Sequence, residues 1–259
     1  MSCAIRVEFY TNNPSLNKNR AGQMKNQRLS AGFHLAGLIL LIGGLAGCAA
    51  STPTIDTSPE AKVTFDGLHE VKGGKADEAW ARPGIDLTQY SKIMLQGAGI
   101  EYRPGGESGR SWSSRSRGGP YEVTERQKTK LRALVVSVFL EELSESEHFT
   151  LVDEAGPDVL LIRGVMLDVV SWVPPEPIGR GGVFISKVGE ATLVLELRDS
   201  ITEAILVRAV DRRAADSYGA YGDLSLSSPV TNQADVKRMV RYWAKLLRER
   251  LDEFGAPKE

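Results

Sequence analysis

The most regular pattern of hydrophobic and polar positions covers residues 189–199, where apolar side chains occupy the odd positions from Ala191 to Leu197. The even positions between them are mostly polar. This alternation predicts a β-strand with one covered face and one solvent-facing face. A turn at residues 199–203 is followed by residues 205–212, which continue the alternation and predict an antiparallel partner strand.

Three other segments are typical of strands. Residues 158–172 form a nearly continuous aliphatic run rich in β-branched side chains. Such a run favours a central strand that is covered on both faces. Residues 93–102 and the short segment 149–152 complete the set.

Two segments have helical spacing. Residues 124–143 place apolar side chains at steps of three and four, and Thr124 with Gln127 matches a capping box. Residues 232–254 carry the second apolar stripe, and Gly255 follows as a stop signal. Together the elements predict an α/β (α+β) two-layer sandwich. In it, two amphipathic helices pack on one face of a mixed sheet of about five strands.

The segment before this domain has the layout of a secretory signal. Lys25 and Arg28 precede an apolar run over residues 29–45, which is short for a membrane span. The tetrapeptide Leu45-Ala46-Gly47-Cys48 then resembles the lipobox of bacterial lipoproteins. The resemblance implies cleavage before Cys48 and acylation of that cysteine, although an ordinary signal peptide with a chance cysteine is the alternative.

These observations predict how the chain is divided into segments and where in the cell envelope it is located. Residues 1–47 are the signal peptide, residues 48–62 a flexible tether, and residues 63–259 a single periplasmic domain. Translation is expected to start at Met24, with a start at Met1 left open. Ala49 stands where an aspartate would resemble the inner-membrane retention signal, so the expected location is the outer membrane with the domain facing the periplasm.

Several motifs in the predicted domain are similar to an uncharacterised family of bacterial lipoproteins, classed only as a domain of unknown function. They are Phe65–Leu68, Arg82–Leu87 with Tyr90 and Lys92, Gly156–Leu160, and Leu197–Glu203. The similarity implies an envelope location and a shared fold, and it brings no catalytic residues. Glycine commonly follows the threonine in the last motif, whereas Glu203 stands here, which leaves the turn type open.

Charge and cysteine content narrow the function classes. Cleavage before Cys48 removes five basic residues and one acidic residue, which leaves 27 basic and 32 acidic residues among 212. This acidic balance does not predict nucleic-acid binding. Cys3 leaves with the signal and Cys48 is the lipidation site, so no disulfide framework is expected.

Two glycine-rich segments are candidates for binding: the arginine loop (residues 103–120) and the glycine loop (residues 179–182). The candidates for anion or partner contact are Arg110, Trp112, Arg115, Arg117 and Arg180. Guanidinium groups beside an aromatic ring grip anions and stack on rings. A solvated loop without a ligand is the alternative interpretation.

No catalytic, metal or cofactor site is predicted. The mature chain has two histidines, His69 and His148, far apart in sequence, and it lacks a nucleophile elbow and a zinc helix. The leading hypothesis is a non-enzymatic lipoprotein held to the membrane through Cys48 that binds an envelope protein or peptidoglycan. The alternatives are a purely structural factor and a glycan-processing enzyme that uses acids such as Asp168 and Glu196.

Overall fold

In the computed structural model, residues 52–104, 120–174, 182–216 and 224–255 are described. The chain divides after Cys48, and every described element belongs to the unit Ala49–Glu259. The strands are β1 (Thr54–Ile55), β2 (His69–Lys72), β3 (Glu78–Ala81), β4 (Lys92–Tyr102), β5 (Thr150–Leu151), β6 (Val159–Ser171), β7 (Phe184–Ile185), β8 (Lys187–Asp199), β9 (Ile205–Asp216) and β10 (Ser225–Leu226). The helices are α1 (Glu125–Leu143) and α2 (Pro229–Gly255).

The main sheet has eight strands in the order β1-β2-β3-β9-β8-β6-β4-β5, and β7 pairs with β10 in a separate two-stranded ribbon. Strand β4 is parallel to β5 and β6, and the other pairs are antiparallel. The mixed α+β class is therefore confirmed, whereas the prediction of about five strands was wrong. The additional strands, β1, β2 and β3, lie together on one side of the sheet and have two to four residues each, too short to show a periodic pattern.

Both helices begin at side-chain caps. The backbone N–H of Thr124 donates to Gln127 Oε1 at 2.8 Å, and the Thr124 hydroxyl accepts from the Gln127 backbone at 3.4 Å, so the predicted capping box is present. Helix α2 begins at Pro229, three residues before its predicted start. Ser228 caps it by accepting from the Thr231 backbone N–H at 3.2 Å, and proline suits the first turn because it has no N–H to satisfy.

The hydrophobic core lies between the two helices and one face of the sheet. Its fully buried side chains include Ile93, Val138, Leu143, Leu160, Ile162, Val240 and Leu251. Alternate residues of the same strands point to the opposite face, called the outer face below. Charged pairs on this face follow the strand register, because Glu196 lies opposite both Arg163 and Arg208.

Strand β1 is the edge strand of the main sheet, and it lies within the segment that the sequence predicted as a tether. Thr54 lies opposite Lys72 and Ile55 opposite Val71, and the Lys72 ammonium lies 2.6 Å from the Asp56 carboxylate. This arrangement differs from the flexible tether predicted over residues 48–62. The pairing of Thr54 and Ile55 with β2 is a contact between segments distant in sequence, which the small polar composition of this segment does not indicate.

Candidate functional site

The residues that sequence analysis selected as sites, namely Cys48, Arg110, Trp112, Arg115, Arg117 and Arg180, lie outside the described residues. The described residues do show where the two predicted loops join the sheet. The Arg103 N–H donates to the Val169 carbonyl at 3.0 Å, and the Tyr121 N–H donates to the Ser171 carbonyl at 2.8 Å. Both ends of the arginine loop therefore lie beside the end of β6. The glycine loop belongs to the segment between β6, which ends at Ser171, and β7, which begins at Phe184. The end of the sheet where β4 and β6 end is called the loop end below.

Asp168 occupies an irregular position at this end. The pairing of β6 with β8 shifts register between Leu167 and Val170, and Asp168 has φ of 54°. A positive φ is uncommon for a residue other than glycine and costs of order 1 kcal/mol or more. The bulge directs the carboxylate between two arginines that come from other strands or loops. Strained residues of this kind are found disproportionately at functional sites.

Two guanidinium groups hold the Asp168 carboxylate. Arg103 forms a forked contact with it, with Nε 2.6 Å from Oδ1, and Arg212 Nη1 lies 2.7 Å from Oδ2. Hydrogen bonds from Arg103 and then Arg212 lower the pKa of Asp168 to about 2. Asp168 is therefore ionised at neutral pH, which makes it unsuited to donate a proton.

Further ion pairs extend this network to Glu190 of β8. Arg212 Nη2 lies 3.1 Å from Glu190, and Lys187 Nζ lies 3.3 Å from the same carboxylate group. The Lys187 ammonium also lies 4.7 Å from the centre of the Trp172 ring. The loop-end cluster (Arg103, Asp168, Lys187, Glu190 and Arg212) thus carries three positive and two negative charges beside an aromatic ring. An anionic or sugar-bearing ligand suits such a surface.

A second charged network lies on the outer face nearer the other end of the sheet. Arg208 bridges Asp66 at 2.7 Å and Glu196 at 2.9 Å. Burial raises the pKa of Glu196, but hydrogen bonds from Arg198 and Arg208 outweigh it and lower the pKa below its usual value. These side chains are less than one-fifth exposed. The network therefore fastens the segment around Asp66 to the sheet.

The motifs that resemble the lipoprotein family meet at the end of the sheet opposite the loop end. The Tyr90 hydroxyl donates to Asp199 at 2.9 Å, and Lys92 lies 3.0 Å from Asp158. Burial and the Asp199 carboxylate raise the pKa of Tyr90 to about 12. The Arg82 guanidinium donates to the Ile205 carbonyl at 3.0 Å. These contacts join loops to strands and explain the motifs as parts of the fold.

Groups of metal ligands and surface depressions are two other kinds of candidate site among the described residues. Within the described ranges, no group of three or more His, Cys, Asp or Glu side chains is arranged to hold a metal ion. His69 Nδ1 lies 2.8 Å from the Asp56 carbonyl, and His148 is exposed. A depression of about 150 Å³ lies beside β2 and β3, and an open one of about 540 Å³ lies beside residues 152–159. No residue of the loop-end cluster lines either depression, and Asp77, which lines the first, accepts from the Arg212 backbone N–H at 2.8 Å.

The described helices include none that is long and apolar enough to cross a membrane. The described residues thus form a mixed sheet backed by two helices, with a charged loop end as the candidate site.

No protein-family model and no curated protein matches this sequence. Solved structures with a similar arrangement include PelC from Paraburkholderia phytofirmans, a dodecamer. It is 9% identical over 66% of this chain and 94% of that chain, with a TM-score of 0.32. A Xanthomonas campestris protein of the DUF330 family is 10% identical over 68% of this chain and 90% of that chain, with a TM-score of 0.36.

A homolog of neuraminyllactose-binding hemagglutinin from Helicobacter pylori is 14% identical over 66% of this chain and 95% of that chain, with a TM-score of 0.31. All three TM-scores are below 0.5, so these similarities support no conclusion about the activity or partners of this chain. The specific lipoprotein resemblance stays a prediction.

Proposed function

We propose that this protein is an outer-membrane lipoprotein, anchored through acylated Cys48, whose periplasmic domain binds another envelope component. The observation that carries the anchor is the sequence Leu45-Ala46-Gly47-Cys48 directly after a short apolar run. Two or three acyl chains hold a protein firmly to a bilayer, whereas one chain does not. The domain is then presented at the membrane surface without a spanning helix.

The loop-end cluster is the proposed binding surface. It combines two arginines, a lysine and Trp172 where the arginine loop and the glycine loop join the sheet. Asp168 holds the Arg103 and Arg212 guanidinium groups in place, so a ligand carboxylate or phosphate can bind to the preorganised N–H donors that Asp168 does not use. Peptidoglycan and an acidic envelope protein both offer such groups.

Binding fits the described carboxylates better than catalysis does. Asp168 and Glu196, the acids considered for glycan hydrolysis, are each held by two arginines. A general acid at neutral pH needs a raised pKa, whereas both of these carboxyl groups have a lowered pKa. The enzyme and the purely structural factor remain the alternatives.

Membrane fractionation tests the anchor. We expect the wild-type protein in the outer-membrane fraction and the Cys48→Ser protein in the soluble periplasmic fraction, because the serine oxygen does not accept the diacylglyceryl group. Ser51→Ala, which changes a nearby polar residue, is the matched control and is expected to stay in the membrane. Retention of Cys48→Ser in the outer membrane contradicts the proposed anchor.

Site-specific photocrosslinking in intact cells tests the binding surface. Glu101 is exposed beside Arg103 at the loop end, and Glu145 is exposed just after α1 at the other end of the sheet. A photoreactive residue at position 101 is expected to give a discrete adduct with glycan or with one envelope protein, and position 145 is expected to give none. Equal crosslinking from the two positions contradicts a binding role for the loop end.

A further inference from the structure

An aromatic side chain close to the proposed anchor is held entirely in solvent. Phe65 is 99% exposed. It lies in a tight turn in which the Thr64 N–H donates to the Leu68 carbonyl at 2.8 Å and Gly67 adopts a φ of 79°. Removing a phenylalanine side chain from water stabilises a protein, and the fold leaves that contribution unused.

The exposure of Phe65 is a property of an ordered turn. The Thr64 hydroxyl donates to Asp66 at 2.5 Å, and Arg208 of β9 donates to the same carboxylate group at 2.7 Å. Leu68, on the other side of the turn, has no exposed surface. The turn is therefore fixed on two sides, and these contacts hold the Phe65 backbone in a defined place.

Val63 adds a second exposed apolar group beside Phe65. It is 51% exposed and forms an antiparallel bridge with His69, and the neighbouring Lys62 side chain is 72% exposed. Val63 and Phe65 are called the apolar tip below. The Lys62 ammonium lies 3.1 Å from the Glu70 carboxylate and stays at the surface. Apolar side chains next to a surface cation suit the boundary between lipid headgroups and acyl chains.

The length of chain between Cys48 and the sheet limits how far the tip can lie from the bilayer. Thr54 is the first strand residue, and only residues 49–53 separate it from Cys48. Six residue steps span at most about 20 Å. Thr54 pairs with Lys72 at one end of β2, and Val63 of the tip bridges His69 at the other end of that four-residue strand, three residue steps or about 10 Å away.

We infer that the apolar tip inserts into the interfacial layer of the bilayer that holds the acyl chains of Cys48. This inference rests on the proposed lipidation. Two apolar side chains bind a membrane weakly on their own, but the short tether makes their insertion intramolecular and raises their effective concentration. The edge formed by β1 and β2 then faces the membrane, and the tip fixes the orientation of the domain.

A fluorescent probe at position 65 tests the inference in the mature lipoprotein. In the lipidated protein Cys3 is absent and the Cys48 sulfur is a thioether, so Phe65→Cys introduces a single free thiol. The protein is labelled with an environment-sensitive fluorophore and reconstituted into phosphatidylethanolamine and phosphatidylglycerol vesicles. Quenching by spin-labelled lipid is expected to be at least about threefold stronger than for a probe at Val230→Cys, because only the tip enters the interface.

Val230 is a suitable control because it is 78% exposed and lies at the start of α2, near the loop end. Quenching at position 65 that does not exceed quenching at position 230 overturns the inference. Protection of the position 65 probe by an envelope protein without lipid quenching also overturns it and assigns a protein partner. Mass spectrometry separates the two proposals: a missing acyl group defeats the lipidation, whereas an acylated protein with an unquenched probe defeats the tip alone.

Discussion

Glu203 shows how a single residue sets the turn between β8 and β9. It has φ of 56°, and its carbonyl accepts a hydrogen bond from Arg198 at 3.0 Å. The left-handed region costs an ordinary residue about 1–2 kcal/mol, and glycine avoids that cost. The structure thus answers the question that Glu203 raised in the sequence: the turn keeps a conformation that favours glycine.

We expect Glu203→Gly to raise the free energy of unfolding by about 0.5 kcal/mol. Glycine removes the strain, but its greater freedom in the unfolded chain offsets part of the gain. Urea denaturation monitored by circular dichroism measures the change. Glu203→Ala is the control, since it keeps the strain and is expected to show no gain. A glycine variant less stable than the wild type contradicts the explanation.

The lowered pKa of Asp168 predicts how the free energy of unfolding depends on pH. Its pKa is lowered from 3.8 to about 2, so the contribution of its ionised form to stability is complete above pH 4 and is lost as the pH falls towards 2. Asp168→Asn is expected to lower the free energy of unfolding at pH 7 and to flatten its decline between pH 4 and pH 2. Urea denaturation across this range is the measurement.

Exposed Asp153 provides the comparison for that experiment. Asp153→Asn is expected to follow the wild-type pH dependence closely, because exposed charges contribute little to stability. A wild-type curve that runs parallel to the Asp168→Asn curve between pH 4 and pH 2 contradicts the ion-paired state of Asp168.

The loop-end site could be predicted only in part from these residues. Arg103 begins a segment that is unusually rich in glycine, serine and arginine. Asp168 is a carboxylate within an otherwise aliphatic strand. Their contact depends on a bulge at a residue with a positive φ, and no glycine or asparagine in the sequence signals that bulge. Arg212 joins them only because the register of β8 and β9 places it opposite Thr192.

At the scale of elements, a buried carboxylate joins the two helices. Glu142 of α1 is 7% exposed, and its carboxylate lies 2.9 Å from Arg241 Nε and 3.9 Å from Arg248 Nε of α2. Neighbouring Glu141 also contacts Arg241, but its side chain is 51% exposed. The two glutamates therefore form a matched pair that differs mainly in burial.

Glu142→Ala is expected to lower the free energy of unfolding by about 2 kcal/mol, because it leaves two arginines without their shared partner and opens space between the helices. Glu141→Ala is expected to change it by less than about 0.5 kcal/mol, as for most exposed ion pairs. Thermal and urea denaturation of both variants measure the difference. Equal effects of the two substitutions contradict the account of helix packing.

The longer elements could be predicted and the short ones could not. Alternation identified β8 and β9, and helical spacing with a capping box identified α1. Strands β2 and β3 have four residues each, so their sequences contain only two alternations, too few to identify a strand. Their place in the sheet comes from pairing with distant segments, as when Glu78 lies opposite Val210, and that information is not local.

At the scale of the whole molecule, a short length of chain separates the proposed anchor from the folded domain. Because β1 begins at Thr54, six residue steps separate it from Cys48, the proposed acylation site, and these steps span at most about 20 Å. The loop-end cluster and the apolar tip lie at different ends of this sheet. The proposed functions of anchoring and binding therefore use separate surfaces.

The mass of the amino-terminal peptide of the mature protein, purified from membranes, tests the central claim most directly. The account predicts that the peptide begins at Cys48 and carries a diacylglyceryl group on sulfur together with an acylated amino terminus. A peptide that begins at another residue, or one that begins at Cys48 with a free thiol, contradicts it.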